Sequence, residues 1–332
     1  MKAVIAERFG GLDALAIVDR DEPIVGGRDV LIEVRAASLN PIDFKIREGK
    51  LKLVSPVRPP IALGCDVAGV VSATGGDVTS IAVGDEVFAR LEKDRMGGLA
   101  ERVCADESVV AKKPASASFE EAAAVPLAGL TALQALRDVA GLQPGQRVLI
   151  HAGAGGVGSL AIQIAKQLGL WVATTTSTKN VELVKSLGAD AVVDYTKHEP
   201  LPTELDAVFD TLGTTEGASI AACKRGGIVV GIGGLPDMTF ARERLPWFAR
   251  PAIAFATLGR TLAASRRGVR FRYLFMRPDG KELAELAAWI DAGKLKPLIH
   301  RTYPFADVRE AFAELERGRA RGKIVVTIDS TS

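Results

Sequence analysis

The spacing of hydrophobic and polar positions changes near residue 118, and this change divides the chain into two kinds of predicted element. Before residue 118, short apolar runs alternate with glycine-rich turns, a pattern typical of strands in an all-β domain. Strands are predicted at residues 2–6, 15–19, 29–37, 67–73, 86–89, 100–105 and 109–112. Two longer loops are expected at residues 40–49 and 56–64. This series of short strands predicts a partly open β-barrel.

After residue 118 the apolar positions follow the helical period or form short buried runs. Helices are predicted at residues 119–124, 129–137, 157–169, 180–187, 217–224, 281–292 and 307–317, and strands at residues 148–150, 171–175, 191–193, 207–209, 228–232, 253–257, 298–301 and 323–328. Strands that alternate with helices predict a parallel, doubly wound sheet. We expect the last strand, at residues 323–328, to pair within the N-terminal barrel. The predicted fold class is α/β with two domains, which a length of 332 residues also favours.

A glycine motif follows the first strand of this sheet. Gly153, Gly155 and Gly158 have the spacing G-x-G-x-x-G, and an amphipathic helix begins directly after them. Strand, loop and helix in this order indicate a dinucleotide site, with the pyrophosphate at the helix N-terminus near Gly156 and Val157. The alternative is a plain turn between a strand and a helix.

The residues after the second strand of the sheet indicate which dinucleotide is bound. NAD enzymes usually carry an acidic residue about 20 positions after the first glycine. The matching segment here is VATTTSTKN, which has no acid but contains Ser177 and Lys179. A hydroxyl and a cation suit the 2′-phosphate of NADPH, and we therefore expect NADPH. The alternative is a polar turn with a solvated lysine.

Composition and charge narrow the class of protein further. Hydrophobic residues make up 48% of the chain and charged residues 25%, values that are ordinary for a globular protein. The net charge of +2 is too small to favour nucleic acid or a membrane as partner. Neither an export signal nor an apolar run of about 18 residues is visible. Three widely spaced cysteines argue against a disulfide framework, and a cytoplasmic protein is expected.

Several stretches together resemble the medium-chain dehydrogenase/reductase superfamily, in its zinc-free quinone oxidoreductase branch. Within that branch the chain is most similar to alkenal/one oxidoreductases and zeta-crystallin-like quinone reductases. The stretches are SLNPIDFK, DVAGVV, VGDEV, GGLAE, AVPLAGLTA, AGAGGVGSLAIQIAKQLG, STKN, SLGAD, DYTK, LKPLIHRTYPF and RGKIVV. The resemblance implies a GroES-like substrate domain at residues 1–124, completed by residues 296–332, and a Rossmann NADPH-binding domain at residues 125–295.

The zinc alcohol dehydrogenases of the same superfamily carry Cys-Gly-x-Asp where this chain has residues 40–43, and Gly-His-Glu where it has residues 64–66. The lobe with four cysteines for structural zinc is missing. Catalytic zinc takes about three protein ligands, and here only Cys65 and Asp66 are candidates. We therefore expect no metal, with Cys65 as a small buried hydrophobe. The three histidines have no ligand spacing and are interpreted as structural.

The resemblance also implies roles for cofactor-binding residues. It places Thr131 under the nicotinamide and Asn40 beside the nicotinamide ribose, within reach of the substrate. Lys179 and Tyr195 would flank the 2′-phosphate, and the alternative for Tyr195 is a half-buried surface tyrosine. The backbone at Gly231 and Gly233 would approach the cofactor, and Lys323 is placed among the cofactor-binding residues.

The resemblance implies a catalytic role for Lys45. A lysine stands at this position in the alkenal-reducing relatives, and a cation beside a substrate carbonyl stabilises a developing enolate. The alternative is a solvated loop lysine. Asp43 is interpreted as structural, because an aspartate after a proline turn can hold the loop through backbone hydrogen bonds.

The expected activity is zinc-independent, NADPH-dependent reduction of a quinone or of the C=C bond of an α,β-unsaturated ketone or aldehyde. Two alternatives stay open, an enoyl-thioester reductase and a non-catalytic NADPH-binding protein. A homodimer is expected through the apolar segment at residues 253–258, interpreted as the edge strand of the sheet. The alternative is a helix or loop that covers this edge.

Overall fold

The chain forms two units in the computed structural model, which describes residues 1–52 and 56–328. One unit contains residues 1–130 together with residues from 277 onwards, and the other contains residues 131–276. The domain boundaries expected at residues 124 and 295 stay a prediction. The helix Gly280–Asp291 lies in the first unit because Gly280 packs closely on a strand there. A Cβ at Gly280 would lie 2.5 Å from the carbonyl oxygen of Val110.

The regular elements of the described residues are named in chain order. The strands are β1 (Lys2–Ala6), β2 (Leu15–Asp19), β3 (Asp29–Leu39), β4 (Ile61–Ala62), β5 (Asp66–Thr74), β6 (Glu86–Arg90), β7 (Arg102–Asp106), β8 (Val110–Lys112), β9 (Arg147–Ile150), β10 (Trp171–Thr176), β11 (Ala191–Asp194), β12 (Leu205–Asp210), β13 (Cys223–Gly231), β14 (Arg270–Tyr273), β15 (Ile299–Pro304) and β16 (Lys323–Thr327). The helices are α1 (Pro41–Arg47), α2 (Phe119–Ala123), α3 (Pro126–Leu133), α4 (Gly156–Gln167), α5 (Val181–Ser186), α6 (Glu216–Ala222), α7 (Met238–Arg244), α8 (Arg250–Ala256), α9 (Leu258–Arg267), α10 (Gly280–Asp291) and α11 (Val308–Glu316).

The first unit is built from two antiparallel-rich sheets, as the strand pattern predicts. One sheet has the order β15-β16-β3-β5-β6-β8, with β7 also paired to β3, and the other has the order β2-β1-β4. Strand β16 pairs antiparallel with β3, where Ile324 lies opposite Leu39. The prediction that the last strand returns to the N-terminal barrel is therefore confirmed. The core between the strands contains fully buried side chains such as Val4, Ile32 and Val67.

The segment at residues 40–49 is not a loop as expected, because it contains helix α1. Asn40 is the N-cap of this helix and Pro41 occupies its first turn, a position that proline favours. The Asp43 carboxylate accepts the backbone N–H of Asn40 at 2.8 Å, which completes a capping box. The predicted local backbone bond of Asp43 is thus present, within a helix start rather than a loop. The second expected loop contains the short strand β4.

The second unit contains the predicted parallel, doubly wound sheet. Its strand order is β11-β10-β9-β12-β13-β14, and every pairing in it is parallel. Strand β9 is central, and its residues Val148, Leu149 and Ile150 are fully buried. The order changes direction at β9, between β10 and β12, where ligands bind at the carboxyl ends of strands in such sheets. The predicted helix at residues 129–137 is α3 followed by a π-helical turn at Gln134–Val139.

The sixth strand was predicted in the wrong place. Residues 253–257 belong to helix α8 and to its C-cap at Thr257, whereas the edge strand of the sheet is β14. A short apolar run does not distinguish a strand from a helix by periodicity, and Pro251 in the first turn favours a helix start. The homodimer expected through this segment therefore has no strand there to support it.

The helices of both units are short. Over residues 1–52 and 56–328, none is long and apolar enough to cross a lipid bilayer.

Candidate functional site

The glycine motif forms a tight turn between β9 and α4. A Cβ at Gly153 would lie 2.1 Å from the Thr174 hydroxyl oxygen, and one at Gly158 would lie 2.3 Å from the Ala152 carbonyl oxygen. Only glycine allows these approaches of backbone and side chain. Gly155 differs, because its nearest neighbour is that carbonyl oxygen at 3.3 Å. The first and third glycines therefore close the turn, while the second leaves space beside it.

Helix α4 begins with backbone donors that have no side-chain cap within residues 1–52 and 56–328. Its N-cap is Gly155, which has no side-chain acceptor, and Gly156 and Val157 form its first turn. The first N–H groups of a helix lack partners within the helix and attract anions. The narrow turn and these free donors fit the pyrophosphate of a dinucleotide.

Ala152, in the same turn, adopts a left-handed backbone conformation with φ of 53°. Its N–H donates to the Thr175 hydroxyl at 3.0 Å. The buried imidazole of His151 lies between hydroxyl groups, 3.2 Å from that of Thr175 and 3.1 Å from that of Ser219. Burial lowers the pKa of this imidazole, so the ring stays neutral and holds the turn. This arrangement gives His151 a structural position.

Two short turns at the ends of neighbouring strands carry Lys179 and Tyr195, with Ser177 directly before the first, and the Thr178 and Thr196 hydroxyls of these turns lie 2.8 Å apart. The first turn follows β10 and spans Thr178–Asn180, and the second follows β11 and spans Tyr195–Lys197. Lys179 is exposed, Tyr195 is 59% exposed, and Ser177 is partly buried. A lysine, a tyrosine and a hydroxyl at this edge of the sheet can surround a phosphate group.

A carboxylate that the sequence analysis did not single out joins these two turns. Asp194 accepts the Thr178 hydroxyl at 2.6 Å and the Thr196 hydroxyl at 2.7 Å. These two hydroxyl donors hold the pKa of the Asp194 carboxyl below its ordinary value. Lys197 lies 3.7 Å from the same carboxylate. The signal in the sequence was DYTK, in which the acid ends β11 and the cation follows three positions later.

The loops that follow β12 and β13 approach each other through glycines. A Cβ at Gly213 would lie 2.2 Å from the backbone nitrogen of Gly234, and one at Gly233 would lie 2.9 Å from the Leu212 carbonyl oxygen. The Asp210 carboxylate accepts the N–H groups of Leu212 and Gly213 at 3.0 and 2.9 Å. Predicted Gly233 thus lies in a closely packed pair of loops.

The other predicted glycine of this region, Gly231, is the last residue of β13. A Cβ there would lie 3.0 Å from the Phe271 ring. Thr131 is buried within helix α3. Its predicted place under the nicotinamide stays a prediction.

The first unit contains a buried polar cluster formed by Asn40, Asp43, Asp66, Arg90 and Lys323, each at most 5% exposed. Asn40 Nδ2 donates to Asp66 Oδ2 at 2.9 Å, and the Lys323 ammonium donates to Asn40 Oδ1 and to the carbonyl oxygen of Leu39. The same ammonium lies 3.5 Å from the Asp66 carboxylate. Both ends of the Asn40 amide are therefore held by a buried ion pair.

The second carboxylate of the buried polar cluster belongs to Asp43. One of its oxygens accepts the Asn40 N–H, and the other is buried without a hydrogen-bond partner in the described part of the chain. Burial raises the pKa of the Asp43 carboxyl to about 7, and the charge of Asp66 acts in the same direction. Lys323 and Arg90 act in the opposite direction. A large share of the Asp43 carboxyl is therefore protonated at neutral pH.

The two predicted lysines of the first unit, Lys45 and Lys323, differ in burial. Lys45 is half-buried on helix α1, one turn away from the start that Asn40 caps. Lys323 directs its ammonium into the buried polar cluster, so its contacts are with Asn40 and Asp66. Its predicted contact with a cofactor stays a prediction.

Cys65 and Asp66, the two candidate metal ligands, lie in or beside the same cluster. Across the residues that the structure describes, no group of three His, Cys, Asp or Glu side chains has the arrangement of a metal site. Cys65 is fully buried, and its Sγ lies 3.7 Å from Asn40 Nδ2. Burial raises the pKa of this thiol well above its ordinary value, which opposes the thiolate form that binds metals.

Comparison with known proteins agrees with both units. Residues 26–115 match the alcohol dehydrogenase GroES-like domain family, and residues 187–326 match the zinc-binding dehydrogenase family. The 2-methylene-furan-3-one reductase of Solanum lycopersicum is 38% identical over 98% of this chain and 79% of its own length. The chloroplastic NADPH-dependent alkenal/one oxidoreductase of Arabidopsis thaliana is 37% identical with the same coverage. The quinone oxidoreductase structure from Coxiella burnetii covers 99% of both chains at 35% identity, with a TM-score of 0.84.

A GroES-like unit joined to a parallel-sheet dinucleotide-binding unit, with these relatives, defines the class. The chain belongs to the medium-chain dehydrogenase/reductase superfamily. Within the superfamily it is an enzyme, an NAD(P)H-dependent oxidoreductase of the quinone and alkenal oxidoreductase type.

Proposed function

We propose that this enzyme uses NADPH, without zinc, to reduce the C=C bond of α,β-unsaturated ketones or aldehydes, or a quinone. The observation that carries the proposal is the placement of Ser177, Lys179 and Tyr195 at or beside two adjoining turns, because a hydroxyl, a cation and a phenol suit a 2′-phosphate. The names of the relatives support the same substrates, since they include an alkenal/one oxidoreductase and a quinone oxidoreductase.

The proposed roles follow from the chemistry of each group. When bound, NADPH supplies a hydride to the electron-poor β-carbon of the substrate. The N-terminus of α4 binds the pyrophosphate, and Ser177 and Lys179 bind the 2′-phosphate. The Lys45 ammonium stabilises the negative charge that develops on the substrate oxygen as the enolate forms. Asn40 keeps a fixed orientation because Asp66 and Lys323 hold its amide.

Zinc independence is supported by the buried polar cluster. By resemblance, Asn40, Cys65 and Asp66 stand where zinc alcohol dehydrogenases place metal ligands. Here the Lys323 ammonium already compensates the charge of Asp66, and the Cys65 thiol is held in its protonated form. This donor set does not fit Zn²⁺, which takes about three deprotonated or neutral ligand groups.

A substrate panel tests the proposed activity. NADPH consumption is measured with an enone, a quinone and an enoyl thioester, each with and without a chelator. We expect turnover of the enone or the quinone, unchanged by the chelator, and a loss of about 100-fold in kcat for Lys45→Met. Lys45→Arg, which keeps the cation, should retain much of the rate. Activity with the thioester alone, no turnover at all, or loss of activity in chelator would contradict the proposal.

The NADPH preference gives a separate prediction. Lys179→Ala should weaken NADPH binding about tenfold or more, because a charge-assisted hydrogen bond contributes roughly 1.5–3 kcal/mol. NADH binding should barely change, since NADH has no 2′-phosphate. Fluorescence titration of both cofactors measures the two constants. The control is Lys185→Ala, an exposed lysine of α5 that pairs with Glu182, which should alter neither constant. Equal losses for both cofactors would show that Lys179 acts through the fold.

A further inference from the structure

The helices between β13 and β14 carry an unusual concentration of exposed apolar side chains. Within sixteen positions lie five of the eleven large hydrophobic residues that are exposed over the described residues. They are Trp247 (76% exposed), Phe248 (63%), Phe255 (82%), Leu258 (50%) and Leu262 (46%). Isolated exposed apolar residues are normal, but a contiguous group of them marks a surface that contacts another molecule.

Hydrogen bonds link the end of α8 to the start of α9 at Thr257. The Thr257 N–H donates to the Ile253 carbonyl at 2.9 Å, and the Thr261 N–H donates to the Thr257 carbonyl at 2.9 Å. Thr257 is both the C-cap of α8 and the N-cap of α9, with φ of −100° and ψ of 3°. Leu258 and Leu262 are four positions apart, which places them on one face of α9, and Phe255 lies near the end of α8, three positions before Leu258. Trp247 and Phe248 contact each other edge to face, with ring centroids 6.1 Å apart.

The same segment is strongly basic. Residues 242–272 contain eight arginines, one glutamate and neither lysine nor aspartate, which gives a formal charge of +7. The whole chain has 42 basic and 40 acidic residues, so the remaining residues carry a formal charge of −5. Arg260 does not contribute to the outer surface, because it pairs with Glu216 at 2.7 Å and stacks on Phe271. Arg242 and Arg266 are exposed and have no ion-pair partner in residues 1–52 and 56–328.

We propose that this arginine–aromatic surface, formed by Trp247, Phe248, Phe255, Leu258 and Leu262 with Arg242 and Arg266, docks on an anionic lipid membrane. Helices that lie in a membrane interface combine exposed Trp, Phe and Leu side chains with a strongly cationic face and low overall hydrophobicity. Arginines near such a surface are attracted by acidic lipid headgroups. The aromatic rings enter the headgroup region without a complementary groove.

The charge also distinguishes this occupant from a second copy of the chain. A two-fold interface places the same surface of each copy against the other. Such an interface would bring the exposed Arg242 and Arg266 of one copy towards the same two arginines of the other. An anionic membrane instead compensates the arginines, and it repels the net negative remainder of the chain, which favours contact through this face.

Vesicle binding of the full chain tests the proposal without any reductase readout. Sedimentation is measured with phosphatidylcholine vesicles and with vesicles of phosphatidylcholine and phosphatidylserine. We expect binding to the vesicles that contain phosphatidylserine, little binding to phosphatidylcholine alone, and weaker binding as salt is added.

Two pairs of substitutions separate the apolar and charged contributions. Trp247→Ser with Phe255→Ser should weaken vesicle binding by about tenfold or more. Arg242→Glu with Arg266→Glu should do the same, whereas Arg242→Lys with Arg266→Lys should keep most of the binding. Matched controls come from the first unit. Ile24→Ser with Val83→Ser removes equally exposed apolar side chains, and Arg319→Glu with Arg321→Glu reverses two exposed charges. Both controls should bind as the unchanged chain does.

Three results would overturn the proposal. The first is no binding to phosphatidylserine vesicles, and the second is unchanged binding by both test pairs. The third is a sedimentation mass of twice 35.0 kDa that falls to the single-chain value in Trp247→Ser with Phe255→Ser, together with no vesicle binding. That result would assign the surface to a second copy. Circular dichroism establishes that each variant is folded, and the lysine pair provides a charge test that leaves the surface chemistry intact.

Discussion

Replacing Asp66 by alanine should lower the free energy of unfolding by about 3–5 kcal/mol, because it leaves the buried Lys323 ammonium without its carboxylate. The fully buried Asp66 carboxylate also accepts hydrogen bonds from the Ser38 hydroxyl at 3.2 Å, from Asn40 Nδ2 at 2.9 Å and from the Leu127 N–H at 2.9 Å. Each of these donors would lose a partner. Urea unfolding of the variant and the unchanged chain measures the difference.

A double substitution identifies the physical cause of this loss. Asp66→Leu with Lys323→Met removes both charges and should be markedly less destabilising than the sum of the two single substitutions. Asp66→Asn keeps the shape and one acceptor oxygen but replaces the other oxygen with an NH2 donor and removes the charge, so it should fall between alanine and aspartate. A loss below about 1 kcal/mol for Asp66→Ala, or additive effects in the double variant, would show that the two charges are not coupled.

Most strands of the first unit could be predicted from sequence, because short apolar runs alternate there with glycine-rich turns. The predicted bounds of β1 and β2 agree with the structure, and β3 extends only two residues further. The prediction was wrong where two structures share one pattern. The run IAFAT is apolar in a strand and in a helix alike, and its exposure in α8 follows from tertiary packing that no local pattern encodes.

The helix α1 illustrates a second limit. An asparagine, a proline and an aspartate within four residues are turn formers, and the same three residue types also start a helix through a capping box. The sequence does not decide between the two, because the choice depends on whether apolar side chains of the segment find a core. Ile46, at 2% exposure, finds one in the barrel.

One part of the candidate site could likewise be predicted from the sequence, and another part could not. The glycine turn depends on neighbouring residues and was therefore visible in the sequence. The ion pair of Asp66 with Lys323 joins positions that are distant in the chain, and only the pairing of β16 with β3 brings them together. The net charge of +2 also hides how the charge is distributed, since it is the sum of +7 in residues 242–272 and −5 in the remaining residues.

Asp43→Asn should change how stability depends on pH, because the folded chain buries this carboxyl completely. The pKa of Asp43 is raised to about 7 by burial, whereas an unfolded aspartate titrates near about 3.9. Between these values the unfolded chain releases a proton that the folded chain retains. Stability from this group is therefore lost as pH rises from about 4 to 7, and it is constant above that range.

The expected size follows from the two pKa values. About three pH units at about 1.4 kcal/mol each give roughly 4 kcal/mol. The unfolding free energy of Asp43→Asn, relative to the unchanged chain, should rise by this amount between about pH 4 and pH 7 and then level off. The asparagine side chain still accepts the Asn40 N–H, so the cap of α1 is kept. Any cost of its buried amide group is independent of pH and does not alter the slope.

Asp106 provides the matched control, because hydrogen bonding to Arg28 lowers its pKa to about 2. Its carboxylate stabilises the folded chain above about pH 4, and this contribution is lost as pH falls towards 2. The relative stability of Asp106→Asn should therefore change with the opposite sign and in the lower pH range. Urea unfolding at a series of pH values measures both variants. A difference between Asp43→Asn and the unchanged chain that stays flat from about pH 4 to pH 7 would show that the Asp43 carboxyl ionises normally in the folded chain.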